Sequence, residues 1–313
     1  MRALVVCNPA ARGGRGLRAL PTVLERLRAL EVEADVHRTT SLADARAAAR
    51  GAAATVDAVA AMGGDGVVGA CAAGLAQAGP GARAALGVIP TGSGNDAARM
   101  LGVPPGDPAA AAALLPTLAR RRADLARVDG RHYLNVAGAG LDAEVNRLAN
   151  DRLAWVPGRA RYVGALLAEL AVRQPSTFTL TLDGERHEVR AWFVAMANGP
   201  SYGGGMRIAP DARIDDGLLD VVVVGAIHRP GFLATFPKVR SGRHVGHPAV
   251  SVHRACRVEL AADRPLLVYA DGERHGELPV VFEACPGAIH VLAAADAGGS
   301  AAADAGGSGG PPR

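Results

Sequence analysis

Gly63-Gly64-Asp65-Gly66 stands directly after the apolar run Val56–Met62. Glycines around one carboxylate at the end of a strand leave main-chain N–H groups bare and set a single acid among them. Such a turn can cradle a phosphate. A second one, Thr91-Gly92-Ser93-Gly94-Asn95-Asp96, follows the strand-like Leu86-Gly87-Val88-Ile89-Pro90. A third, Asn8-Pro9-Ala10-Ala11-Arg12-Gly13-Gly14, follows Arg2–Cys7, with Arg12 and Arg15 placed to reach an anion. Repeated cradles suit a nucleotide better than a lone anion, the competing reading being plain strand-to-helix turns in an Ala/Gly-rich chain. Lys238 is the only lysine among 34 basic residues, and no glycine loop precedes it, which excludes a P-loop. Two further acids stand beside turn dipeptides: Asp216, in Asp215-Asp216-Gly217, and Glu273, in Asp271-Gly272-Glu273. Each reads either as a working carboxylate or as a solvated turn residue.

The elements that must position these residues change character along the chain. Up to Leu101, strand-like and helix-like stretches alternate: Arg2–Cys7, Leu17–Leu30, Val32–His37, a helix capped by Ser41, Val56–Met62, Val67–Gln77 and Leu86–Ile89. This alternation predicts a doubly wound parallel α/β sheet, whose ligands bind at the carboxyl ends of the strands, where all three turns fall. An Ala-rich helix is expected over Pro108–Arg121, then strands at Arg122–Val128 and Tyr133–Val136, and helices near Asp142–Asn150 and Pro157–Val172. From Thr177 onward strand patterns dominate, which predicts a mainly antiparallel β-sandwich. The expected organisation is therefore a nucleotide-binding α/β domain over 1–128, a β-rich domain over 129–295, and a disordered Ala/Gly/Ser tail over 296–313.

Composition narrows the function classes. Of 313 residues 49% are hydrophobic but only 4% aromatic, so the cores are built from Ala, Val and Leu. The net charge of +4 comes from arginines mixed with acids, and with few aromatics to stack on bases a nucleic-acid partner is not expected. No apolar stretch reaches the roughly 20 residues of a membrane span. Met1-Arg2 runs straight into the first strand, so a cytoplasmic location is expected. Cys7, Cys71, Cys256 and Cys285 lack metal spacing and read as small buried hydrophobes. His244 and His247 lie among glycines in a stretch read as a solvated loop, which with Arg240, Arg243 and Arg254 offers a surface for anionic headgroups.

Taken together, Asn-Pro-x-x-x-Gly, Gly-Gly-Asp-Gly and Pro90-Thr-Gly-Ser-Gly-Asn-Asp96 resemble the diacylglycerol kinase catalytic family, specifically the soluble bacterial lipid kinases. The resemblance continues through Asn198-Gly199, Gly203-Gly204-Gly205-Met206, Ile208–Ala212, Asp215–Asp220 and Tyr269–Glu273. It implies an ATP-binding first domain, a lipid-binding second domain and a cleft between them. By the same resemblance the nucleotide falls on Asn8, Pro9, Ala10, Ala11, Arg12, Thr39, Gly63, Gly64, Asp65, Gly66, Val67, Gly92, Ser93, Asn95 and Asp96. It also implies a structural Mg²⁺ at Asp216 and the carbonyls of Arg213 and Leu218, linked through water to Asp96 and Asp124. Glu273 matches the family's general base, and Asp65 is a candidate to hold a second Mg²⁺ arriving with ATP.

That fits the chemistry, because phosphoryl transfer asks the protein for positioning and charge neutralisation, with a carboxylate to take the hydroxyl proton. Two positions depart from the family pattern: Val67 replaces a threonine, and Gly69-Ala70 replace an Asn-Glu pair. The expected partner is a lipid at a membrane surface, and a homodimer is compatible with the sequence. The alternatives are a kinase of related fold acting on NAD or another soluble alcohol, and a catalytically silent nucleotide- or lipid-binding protein.

Overall fold

The computed structural model describes residues 1–153, 155–156, 160–295 and 297. The tail expected from Asp296, Ala297 aside, and the expected helix start at Pro157 lie outside the described residues. The first part runs β1 (Arg2–Cys7), α1 (Arg15–Ala29), β2 (Glu33–Arg38), α2 (Leu42–Ala52), β3 (Ala58–Gly63), α3 (Asp65–Gln77), β4 (Ala85–Pro90), α4 (Asp96–Met100) and α5 (Pro108–Leu114). Its strands pair in parallel in the order β4-β3-β1-β2. Every residue of β3 and β4 is buried, as expected of parallel strands covered on both faces. Charged β2 forms the exposed edge. The shortage of aromatics now has a structural reason: helices approach one another at glycine and alanine. A Cβ on Gly74 of α3 would lie 2.3 Å from the Arg46 carbonyl of α2.

The second part contains β5 (Ala119–Val128), β6 (Arg131–Tyr133), β7 (Val136–Gly140), α6 (Leu141–Asp151), α7 (Ala160–Val172), β8 (Ser176–Leu182), β9 (Glu185–Ala197) and β10 (Leu219–Gly225). It continues with α8 (Arg229–Thr235), β11 (Val250–Ala255), β12 (Arg257–Ala262), β13 (Leu267–Ala270), β14 (Glu273–Glu277) and β15 (Val280–Ala293). Neighbours within it pair antiparallel, and strands β5, β7 to β10, β12, β13 and β15 enclose a sandwich-like core around Phe178, Val194, Val221, Val258 and Phe282. The two parts share strands. β15 pairs with β12 near its start and in parallel with β4 near its end, and β5 follows it along both stretches. Its register breaks between Cys285 and Ile289, where the strand passes from one part to the other.

Some expected elements are corrected. The helix from Pro108 stops at Leu114, a short 3-10 turn containing Pro116 ends it, and β5 already begins at Ala119. The strand expected over Tyr133–Val136 is broken: β6 ends at Tyr133 and β7 begins at Val136. Of the cysteines, Cys7 and Cys71 are buried, but Cys256 is exposed and Cys285 only half-buried.

Candidate active site

Strands β1, β3 and β4 are neighbours, so their three glycine turns meet at one sheet edge. The turns touch. Gly63 accepts the N–H groups of Thr91 and Gly92 through its carbonyl, and a Cβ on Gly92 would fall 2.3 Å from the Gly64 Cα. Gly92→Ala must therefore push the two turns apart. We expect it to weaken ATP binding at least about tenfold and to cost roughly 1–3 kcal/mol of stability, read by calorimetric titration and a denaturant melt.

Asp65 opens α3, and its Oδ1 accepts the Ala97 N–H at 3.0 Å, joining the second turn to the first. Burial and the neighbouring Asp96 carboxylate push its pKa up. The α3 N-terminus has no side-chain cap, which leaves first-turn donors for an anion. Val67 does not point toward that anion. Its side chain is buried against Gly63 and its N–H donates to the Gly64 carbonyl, so what replaces the family's threonine is a packing residue.

The remaining residues assigned to the nucleotide are placed as follows. Asn8 accepts the Ala10 N–H through Oδ1 and so shapes the Asn8–Gly14 turn, in which Arg12 takes a positive φ of 45°. Thr39 is buried at the end of β2, on the same edge, with its hydroxyl donated to the Ser41 carbonyl at 2.5 Å. Ser93 is exposed at the tip of the second turn. Asn95, in the left-handed region, donates to the carbonyls of Gly92 and Pro105 and acts as a turn brace.

Asp96 faces the second part of the chain. It is 2% exposed and accepts from the Ser201 hydroxyl and from the N–H groups of Gly204 and Gly205. Asp124 accepts from the N–H groups of Gly217 and Gly287 at 2.7 and 2.6 Å, holding the crossing point of β15 to the loop that carries Asp216. Asp216 itself accepts the Leu218 N–H through one oxygen, and the Arg213 side chain pairs with Asp215. The structure thus brings Asp124 and Asp216 to one loop through Gly217, while Asp96 is bonded to the loop at Ser201–Gly205. Among the described residues no three His, Cys, Asp or Glu side chains converge as metal ligands. A cation at Asp216 would rest on one carboxylate and main-chain carbonyls, an oxygen-only set that suits Mg²⁺ with its retained waters.

Glu273 begins β14, paired opposite Ala270 of β13, and its half-buried side chain has no hydrogen bond or ion pair to any described residue. The hairpin before it has φ of 50° at Asp271 and 83° at Gly272, the geometry of a tight two-residue turn. The position of Asp271 is what sequence reasoning missed. Its carboxylate accepts the N–H groups of Leu134, Asn135 and Val136, the stretch where the expected strand breaks, and burial pushes its pKa up to about 6. It also lies against α3: a Cβ on Gly69 would come 3.0 Å from Asp271 Oδ2. Glycine at position 69 is thus what allows the Asp271–Glu273 turn to approach the phosphate helix. The only advance signal was an Asp-Gly dipeptide, which does not distinguish a buried carboxylate from a solvated one.

Asp142, on α6, is likewise pushed up to about 6 by burial, against a hydrogen bond from Tyr202 that lowers it. A raised folded-state pKa stabilises the fold below the unfolded-state value, and that contribution is lost as pH rises through about 6. Asp142→Asn should therefore gain on the wild type by roughly 1–3 kcal/mol between about pH 4 and pH 7, measured by urea melts at each pH. The loop read as solvated is corrected: His244 is buried and bonds the Ile208 carbonyl, and Arg254 pairs with Asp220.

Comparison with known proteins agrees with this geometry. Residues 2–128 match the diacylglycerol kinase catalytic domain, and residues 135–293 match the YegS C-terminal NAD kinase beta sandwich-like domain. A diacylglycerol kinase of Mycobacterium tuberculosis is 37% identical over 297 residues, covering 91% of this chain and 93% of the relative. A diacylglycerol kinase of Bacillus subtilis is 30% identical, covering 93% and 96%. A crystal structure from Bacillus anthracis superposes with a TM-score of 0.80 at 28% identity, over 95% of this chain and 96% of that one. The motifs met along the sequence, the fold that assembles them and these full-length likenesses converge: the chain belongs to the diacylglycerol kinase family and is a phosphotransferase with an alcohol group as acceptor.

Proposed function

We propose that the chain transfers the γ-phosphoryl group of ATP to the free hydroxyl of diacylglycerol, giving phosphatidic acid, at the cytoplasmic face of a membrane. One observation carries the reading. Glu273 carries an uncommitted, half-buried carboxylate directly after the Asp271-Gly272 turn, and that turn lies through Asp271 against Gly69 of α3, the helix that opens on the Gly63–Gly66 cradle. The names of the relatives support diacylglycerol as the acceptor.

In this reading the phosphates rest on the bare N–H groups at the start of α3, flanked by the Asn8–Arg12 turn and Ser93, with Thr39 bordering the nucleotide. Glu273 accepts the proton of the acceptor hydroxyl as that oxygen attacks the γ-phosphorus, and the bridging oxygen leaves with ADP. Asp65 and Asp216 would hold Mg²⁺, which when bound neutralises phosphate charge. Incubation with γ-labelled ATP and diacylglycerol in detergent should move label into the organic phase, and α-labelled ATP should not. Absence of organic-phase label with the γ-labelled nucleotide would sink the proposal.

A further inference from the structure

The helix α7 is built inside out. Its carboxylate, Glu169, is buried in a four-membered ion network with Glu144, Arg147 and Arg173, while Val163, Gly164, Leu167, Ala168, Ala171 and Val172 face outward. Among the described residues of α7, no charged side chain stands on that outer face. Trp155, just before the helix, is 81% exposed, with its indole N–H donated to the carbonyl of exposed Arg152. Arg161, in the first turn of α7, stacks on Tyr162. A surface helix that turns aliphatic residues outward, fringed by tryptophan and arginine, has the pattern of an element that lies in a lipid interface. At 13 residues it is too short to span a bilayer, and no helix among the described residues is long and apolar enough to do so.

Resting on the lipid-kinase reading above, we propose that the outer face of α7, with Trp155, is the surface by which this protein docks on an anionic bilayer. Its place in the fold supports that occupant over a second copy of the chain. The α6 helix ends beside the proposed base, where Asn150 donates to the Gly272 carbonyl, so the Trp155 segment starts next to the Asp271–Glu273 turn. A bilayer under α7 would present its acceptor next to Glu273. Arg152 and Arg161 complement anionic headgroups. A helix about 20 Å long also offers on one face less than the roughly 800 Å² per partner that a stable dimer buries.

The protein carries its own probe, because its other tryptophan, Trp192, is 4% exposed. Phosphatidylglycerol vesicles should shift the Trp155 emission to the blue and co-sediment the protein, with a weaker effect from phosphatidylcholine alone. Leu167→Glu, a change at an exposed position, should lower the vesicle-bound fraction about tenfold. Its transfer to a short-chain, water-soluble diacylglycerol without vesicles should be unchanged. Unshifted emission with equal sedimentation of wild type and Leu167→Glu overturns the proposal. So does a wild-type dimer that Leu167→Glu turns into a monomer with vesicle binding unaltered, since a second copy then covers the face. If the wild type phosphorylates no soluble diacylglycerol, the lipid-kinase reading fails, whatever the vesicles show.

Discussion

Glu273→Gln should reduce kcat for phosphoryl transfer by about 10²–10⁴-fold while ATP affinity and the melting temperature stay at wild-type values. The magnitude is that of a positioned general base, because the substitution keeps size and shape and removes only the ability to take a proton. The structure makes the outcome specific to chemistry. The Glu273 side chain bonds no described residue, so the amide breaks no hydrogen bond or ion pair seen in the fold. The glycine cradle lies on different elements, so nucleotide binding has no reason to change. Near-normal turnover by a folded Glu273→Gln would place the base elsewhere.

Asp271→Ala has the other large expected effect, and it falls on stability first. Three main-chain N–H groups, of Leu134, Asn135 and Val136, end on this carboxylate. Deleting it leaves them without their acceptor, at roughly 1–3 kcal/mol for each buried donor. Relief of the carboxylate's own burial, visible in its raised pKa, offsets part of that loss. The net expectation is about 2–4 kcal/mol, or a fall in melting temperature on the order of 5–15 °C. Transfer should fall as well, because the same carboxylate seats the turn that presents Glu273. The two variants are told apart by calorimetry: Glu273→Gln is inactive and stable, whereas Asp271→Ala is unstable and poorly active. A melting temperature unchanged in Asp271→Ala would contradict the role given to this residue.

Much of this arrangement was legible in the residues. Alternating strands and helices specified a parallel sheet, and a parallel sheet brings the ends of its strands to one edge, so the meeting of the turns at Asn8, Gly63 and Gly92 followed from local pattern. Contacts made at a distance were not legible. Val67 read as a departure from the family's threonine within the nucleotide loop because a sequence does not show which way a side chain points, and here it packs on Gly63. Gly69 read as a defect in a motif, although its missing side chain is the space that Asp271 occupies. Asp96 and Asp124 read as residues linked through water to a metal, and the sequence does not show that each accepts main-chain N–H groups from loops more than ninety residues away. Residues 129–295 read as one β-rich domain, yet the final residues of β15 pair with β4 of the first part, a non-local pairing that periodicity does not encode.

The most direct measurement offers γ-labelled ATP and Mg²⁺ to one sample containing both diacylglycerol in detergent and NAD. The account predicts label in phosphatidic acid and none in the dinucleotide. Label in the dinucleotide with the lipid unmarked would contradict it.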